Sequence, residues 1–121
     1  MPTPTIHVLI LACEPVIAAL LALLMELDGF TADFPQPGER PEDAIARLHP
    51  PLVVCADGGL PEAESDLFLA RASRRGRVVL FSVPELAPMV RARAEERGFP
   101  YFELPVDREK LARVLNEAAA T

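Results

Sequence analysis

Asp57 is the residue of this sequence that is best placed to do chemistry. It follows the apolar run LVVCA and precedes GGLP. A carboxylate at the end of a buried strand can accept a transferred group or bind a cation, and the two glycines and the proline after it predict a tight turn that leaves it at the surface. An aspartate in such a turn also commonly bonds nearby backbone groups, so the pattern alone leaves both interpretations open.

Few other reactive side chains occupy comparable places. Ser82 ends the apolar run VVLF, and Tyr101 begins a later one. The first apolar run, HVLIL, leads into Ala12 and Cys13, and Glu14 follows them. A thiol-based sensor that uses Cys13 is one possible function, although no basic residue close in sequence would favour its thiolate form.

The elements that must position these residues alternate along the chain. Apolar runs predict strands over 6–12, 30–34, 51–57, 77–82 and 101–104. Helical patterns are expected over 15–27, over a short segment ending near Leu48, and over 62–75, 85–97 and 107–119. Gly98 is expected to end the fourth helix, and Asp107 to cap the fifth. Five strands that alternate with five helices predict a doubly wound α/β fold, with a parallel sheet and helices on both of its faces.

Composition and charge narrow the class of protein further. The chain has 121 residues, half of them apolar and a quarter charged, which predicts a single domain over 1–121 with a substantial core. The formal charge of −6 argues against binding to nucleic acid. The apolar segment VIAALLALLM is too short to span a bilayer, and no secretory signal is recognisable. We therefore expect a cytoplasmic protein with reduced cysteines and no membrane association.

The order of these strands, helices and turn residues resembles the receiver domain of two-component response regulators over essentially the whole chain. The D-x-x-L-P turn at 57–61 is the most specific match, and the spacing from Tyr101 to Pro105 is the next. The resemblance implies a flavodoxin-like (βα)5 sheet with strand order 2-1-3-4-5. It also implies that Asp57 occupies the phosphoacceptor position, with Ser82 and Tyr101 at the switch positions.

The sequence departs from the receiver pattern at the residues that support phosphorylation. The two metal-binding acids of the family correspond to Ala12 and Cys13, and its lysine corresponds to Leu104. Mg²⁺ prefers hard oxygen ligands, whereas a methyl group offers none and a thiol is a soft ligand. Glu14 lies one residue beyond the acid pair. These four residues predict a degenerate pocket without catalytic residues or a bound metal.

We therefore expect a pseudo-receiver, a signalling module that binds other proteins and is neither an enzyme nor dependent on a cofactor. The first alternative is a divergent receiver that is still phosphorylated on Asp57 with Mg²⁺, in which Ser82 and Tyr101 complete the switch. Retention of these three residues keeps that alternative open. The thiol-based sensor is the second alternative.

The first predicted helix carries apolar residues at every helical angle. We expect Val16, Ile17, Leu20, Leu21 and Leu24 to face the sheet. The outward face would then hold the candidate interface residues, which are Ala18, Ala19, Ala22 and Leu23, together with Met25. An exposed apolar helix face indicates a contact with a protein partner or with a second copy of the chain. An alanine-rich helix selected for helix propensity is the alternative explanation.

Overall fold

Five parallel strands form one sheet in the order β2-β1-β3-β4-β5 in the computed structural model, which describes residues 5–120. The strands are β1 His7–Leu11, β2 Thr31–Asp33, β3 Leu52–Asp57, β4 Arg77–Ser82 and β5 Tyr101–Glu103. The helices are α1 Pro15–Leu27, α2 Pro41–Arg47, α3 Asp66–Arg75, α4 Ala87–Arg97 and α5 Arg108–Ala120. The predicted α/β class and the strand order implied by the receiver resemblance are both confirmed.

The central strands are apolar on both faces because helices cover the sheet on both sides. On one face, the side chains of Ile10, Cys55 and Phe81 pack against α1 and α5. On the other face, Leu9 and Val54 pack against α2, α3 and α4. The strands whose sequences are continuous apolar runs therefore form the buried central layer of a three-layer domain.

Two predicted helix boundaries are confirmed by their capping contacts. Gly98 ends α4 in the left-handed conformation at φ 72°, and the backbone N–H of Lys110 donates to the Asp107 carboxylate at 2.7 Å. The helix expected over 62–75 is instead a short 3₁₀ turn at Pro61–Glu64 followed by α3. Ser65 separates the two because its hydroxyl caps α3, accepting a hydrogen bond from Phe68 N–H at 3.2 Å.

The rotation of α1 about its axis differs from the prediction. Ala22 and Met25, which were expected on the outer face, are buried, and Ala18 is half-buried against the core. Ala22 is only 8% exposed, so the prediction that it lies on an exposed interface face is wrong.

The outer face of α1 consists of other residues. Val16 and Leu20, which were expected to face the sheet, are exposed, as are Ala19 and Leu23. The prediction failed because a helix that is apolar all round has no polar face to define its rotation. The packing of α1 against β2 and α5 sets its orientation instead.

The helices among residues 5–120 include none with both the length and the apolar character needed to cross a membrane.

Gly58 lets the turn after β3 pack directly against α4. Its N–H donates to the Phe81 carbonyl at 2.7 Å, which holds the turn against β4. A Cβ added at Gly58 would lie 2.4 Å from Val90 Cγ2, and Val90 is fully buried. Glycine is therefore required here by close approach.

We expect Gly58→Ala to lower the free energy of unfolding by about 1–3 kcal/mol, because the added methyl group overpacks a filled core. Urea denaturation measures the change. In the Gly58→Ala/Val90→Ala double variant the smaller side chain makes room for the new methyl group. The double variant should therefore lose less than the sum of the two single losses, whereas strict additivity would contradict the proposed clash.

Candidate functional site

The carboxyl ends of β1, β3, β4 and β5 bring the sequence-predicted site residues to one edge of the sheet. Asp57 ends β3 beside Phe81 of β4, and Cys13 follows β1 and contacts Asp57. Leu104 follows β5, and its N–H donates to the Ser82 carbonyl at 2.9 Å. This edge is where ligands usually bind in open α/β sheets.

The Asp57 carboxylate is buried and is bonded by the backbone on two sides. Only 3% of the residue is exposed. Oδ1 accepts the Gly59 N–H at 2.9 Å, and Oδ2 accepts the Cys13 N–H at 3.2 Å. The turn-forming interpretation of this aspartate is therefore correct in geometry, while the exposure expected from the turn is not observed. Burial of a carboxylate is tolerated when such donors satisfy its oxygens.

The Cys13 thiol is the closest reactive neighbour of Asp57. The pKa of the thiol is raised from 9.0 to about 11, first by partial burial and then by the Asp57 carboxylate, through its charge and a hydrogen bond from the thiol. Cys13 is consequently a protonated thiol at neutral pH. Cys55 is fully buried among apolar side chains, and this burial also raises its thiol pKa.

The space beside Asp57 is walled by neutral groups. A Cβ placed on Gly59 would lie 3.3 Å from Leu86 Cδ1 and 3.4 Å from Cys13 Sγ, so a methyl group and a thiol border the turn. A groove that adjoins Ala12 has a volume of about 210 Å³, and Glu62 is the one charged residue among its described lining.

The residues at this edge do not fit a magnesium ion. Ala12 is half-buried against the core and presents a methyl group, and Leu104 also packs against the core. Glu14 is exposed at the start of α1. Residues 5–120 contain no group of three or more His, Cys, Asp or Glu side chains arranged to hold a metal ion. The group in direct contact with Asp57 is a protonated thiol, whereas Glu14 and Glu62 act on that thiol only through their charges. This is not the oxygen-rich set that Mg²⁺ requires.

Ser82 and Tyr101 form a direct contact across β4 and β5. Ser82 is fully buried, and its Oγ lies 2.8 Å from the Tyr101 hydroxyl. Arg91 of α4 lies over the Tyr101 ring, with Cζ 5.6 Å from the ring centroid, and also bonds Glu103 at 3.3 Å. Sequence reasoning did not connect Arg91 with Tyr101, because the two are joined only by the packing of α4 on β5.

Comparisons with known proteins agree on the fold. No family model and no curated protein sequence matches the chain. A solved response regulator receiver domain protein (CheY-like) from Methanospirillum hungatei JF-1 superposes with a TM-score of 0.75 at 16% identity, covering 97% of this chain and 95% of that one. NtrX from Brucella abortus gives 0.76 at 18% identity, covering 94% of this chain and 27% of that one.

A third solved structure carries a different name. The structure titled adenylate cyclase from Rhodopirellula baltica superposes with a TM-score of 0.70 at 13% identity, covering 97% of this chain and 89% of that one. Likeness at these identities concerns the fold and not the activity. The chain therefore has the fold of response-regulator receiver domains.

We expect iodoacetamide to alkylate Cys13 about tenfold more slowly at neutral pH than it alkylates a model thiol. A pKa raised to about 11 leaves less thiolate, and the higher basicity of that thiolate offsets only part of the loss. Asp57→Asn should speed alkylation several-fold, because it removes a negative charge that raises the pKa. Mass spectrometry of the labelled peptide measures both rates.

Glu62→Gln is the matched control, since Glu62 makes the smallest of the contributions that raise the Cys13 pKa. It should change the alkylation rate less than Asp57→Asn does. Alkylation of Cys13 faster than the model thiol would contradict the assigned protonation state.

Tyr101→Phe is expected to lower the free energy of unfolding by about 1–3 kcal/mol, because it leaves the buried Ser82 hydroxyl without its partner. Removing both hydroxyls in Ser82→Ala/Tyr101→Phe should recover part of this loss. Chemical denaturation of the single and double variants measures the coupling, and a coupling of zero would show that the contact contributes nothing to stability.

Proposed function

We propose that this chain is a degenerate receiver that acts in signalling as a protein-interaction module, without Mg²⁺-dependent phosphorylation and without enzymatic activity. The observation that carries the proposal is the environment of Asp57. Its two oxygens accept backbone N–H groups, and its nearest reactive side chain is a protonated thiol. The acceptor position is kept, while the groups that would activate an incoming phosphoryl group are replaced.

The physical requirements of phosphoryl transfer support this proposal. The transferred group spreads negative charge over its oxygens, and catalysis consists largely of positioning it and stabilising that charge with metal ions and cations. Ala12 and Leu104 contribute apolar surface to the core instead. Asp57 alone provides a nucleophile without a partner for the charge.

The replacements are also mutually consistent. Carboxylates packed together repel one another, and a metal ion or lysine normally offsets that repulsion. Losing both acids and the lysine leaves Asp57 with neutral donors only, which is a balanced arrangement. Loss of the lysine alone would leave three carboxylates with less compensation. The pocket is therefore consistent with a stable form in which Asp57 is the remaining charged group.

A divergent phosphoacceptor is the second candidate, and one contact favours it. The Ser82–Tyr101 hydrogen bond joins the two residues at the switch positions, and the divergent phosphoacceptor would use this pair to respond to a change at Asp57. The thiol-sensor alternative has less support, because the raised pKa of Cys13 disfavours the reactive thiolate.

The proposed module works through contact with a protein, either another chain or a second copy. We propose that it operates in the cytoplasm and binds neither nucleic acid nor membranes, in keeping with the net charge of −6 and the absence of a basic stripe in the sequence. It would require no cofactor.

Acetyl phosphate with Mg²⁺ tests the proposal directly. We expect no mass increase of one phosphoryl group on the unmodified chain. In the triple variant Ala12→Asp/Cys13→Asp/Leu104→Lys, which restores the hard ligands and the cation beside Asp57, we expect an adduct. Intact-protein mass spectrometry under acidic conditions measures it.

Asp57→Asn in the triple variant is the control, and it should abolish the adduct. A stoichiometric adduct on the unmodified chain that is lost in Asp57→Asn would overturn the pseudo-receiver proposal in favour of the divergent phosphoacceptor. Failure of the triple variant to react, with its fold intact by circular dichroism, would show that these three residues are not what the site lacks.

A further inference from the structure

Four large aliphatic side chains form a continuous exposed line on α1, here named the α1 stripe. Its members are Val16, Leu20, Leu23 and Leu27, which are 69%, 58%, 58% and 55% exposed. Their spacing of four, three and four residues is the one that places side chains along a single seam of a helix that packs against another helix. The opposite face of α1 is occupied by the core.

No other element among residues 5–120 covers the α1 stripe, since its members remain more than half exposed in the folded chain. Scattered surface leucines need no explanation, but a contiguous apolar line on one helix marks a contact surface. Lysine, arginine, aspartate and glutamate are absent from α1 before Glu26. The stripe therefore has no charged residue of its own helix beside it from Val16 to Leu23, and Glu26 precedes its last member.

We propose that the α1 stripe binds a second copy of this chain, with the two α1 helices packed antiparallel about a two-fold axis. This inference rests on the proposed interaction function and names its partner. The spacing of the stripe reads the same in both directions, so reversal places Val16 opposite Leu27 of the other copy and Leu20 opposite Leu23. A two-fold contact requires such a self-complementary surface.

The charges at the ends of α1 favour the antiparallel arrangement. The described first turn of α1 contains no acidic residue, and Glu14 makes no side-chain cap there. The last turn contains Glu26 and no basic residue of its own, and the cation at this end is Arg108 of α5, which donates to the Leu27 carbonyl and bonds Asp28. In the antiparallel pair, each Glu26 lies near the uncapped, partly positive start of the other helix. A parallel pair would place the two Glu26 side chains together.

The size of the contact sets its strength. α1 has 13 residues and is about 20 Å long. A single helix pair of this length buries less than the roughly 800 Å² per partner of a standard stable interface. We therefore expect a reversible dimer whose population depends on protein concentration in the micromolar range.

Sedimentation velocity over a concentration series of the full chain tests the dimer. We expect Leu20→Lys to raise the dimer dissociation constant at least tenfold, because it places a charge in the centre of the seam. Leu67→Lys is the matched control, since Leu67 is 61% exposed on α3, away from the stripe, and it should change the constant less than twofold. Circular dichroism verifies that both variants are folded.

Cross-linking tests the orientation. In a Cys13→Ala background, Val16→Cys and Leu27→Cys chains are oxidised separately and as a mixture. The antiparallel pair predicts that the mixture forms several-fold more disulfide between unlike chains than either variant forms with itself. Preferential cross-linking of Val16→Cys to itself would indicate a parallel pair and overturn the orientation.

The outcomes separate this inference from the proposed function. A chain that stays monomeric at all concentrations, or a dimer that Leu20→Lys and Leu67→Lys affect equally, overturns the α1 dimer and leaves the pseudo-receiver proposal standing. Phosphorylation of Asp57 overturns that proposal without affecting the dimer measurement. A dimer lost in Leu20→Lys and kept in Leu67→Lys supports the inference.

Discussion

The burial of one carboxylate among neutral donors is the constraint around which this site is arranged. Asp57 is held at the end of a central strand, where leaving its charge without partners would be costly. The donors come from the backbone of Gly59 and of Cys13, so both the turn after β3 and the exit of β1 must keep their positions. The register between β1 and β3, which pairs Leu11 with Ala56, places the Cys13 N–H beside this carboxylate.

The same arrangement accounts for the chemistry of the neighbouring thiol. The Asp57 carboxylate raises the pKa of the Cys13 thiol beside it, through its charge and through a hydrogen bond. The protonated thiol can donate to the carboxylate, while a thiolate would repel it. The negative charge of Asp57 thus favours the protonated form of Cys13 at neutral pH.

Most of the fold could be predicted from the sequence, and the reasons are local. The buried strands read as continuous apolar runs, and Gly98 and Asp107 mark helix ends through backbone conformation and capping. The rotation of α1 could not be predicted, because its apolar residues surround the helix and only packing selects the inner face. For the site, the sequence predicted which residues lie at the strand ends. The backbone donors to Asp57 and the position of Arg91 over Tyr101 depend on tertiary geometry that spacing does not encode.

The close packing of Gly58 on Val90 has a mechanical consequence. Val90 touches the turn that carries Asp57, and the next residue, Arg91, lies over the Tyr101 ring. Two consecutive residues of α4 thus bridge the turn after Asp57 and the aromatic side chain of β5. A displacement of the turn toward α4 would therefore press on the buried Val90 and, through the same helix, on the contact between Arg91 and Tyr101.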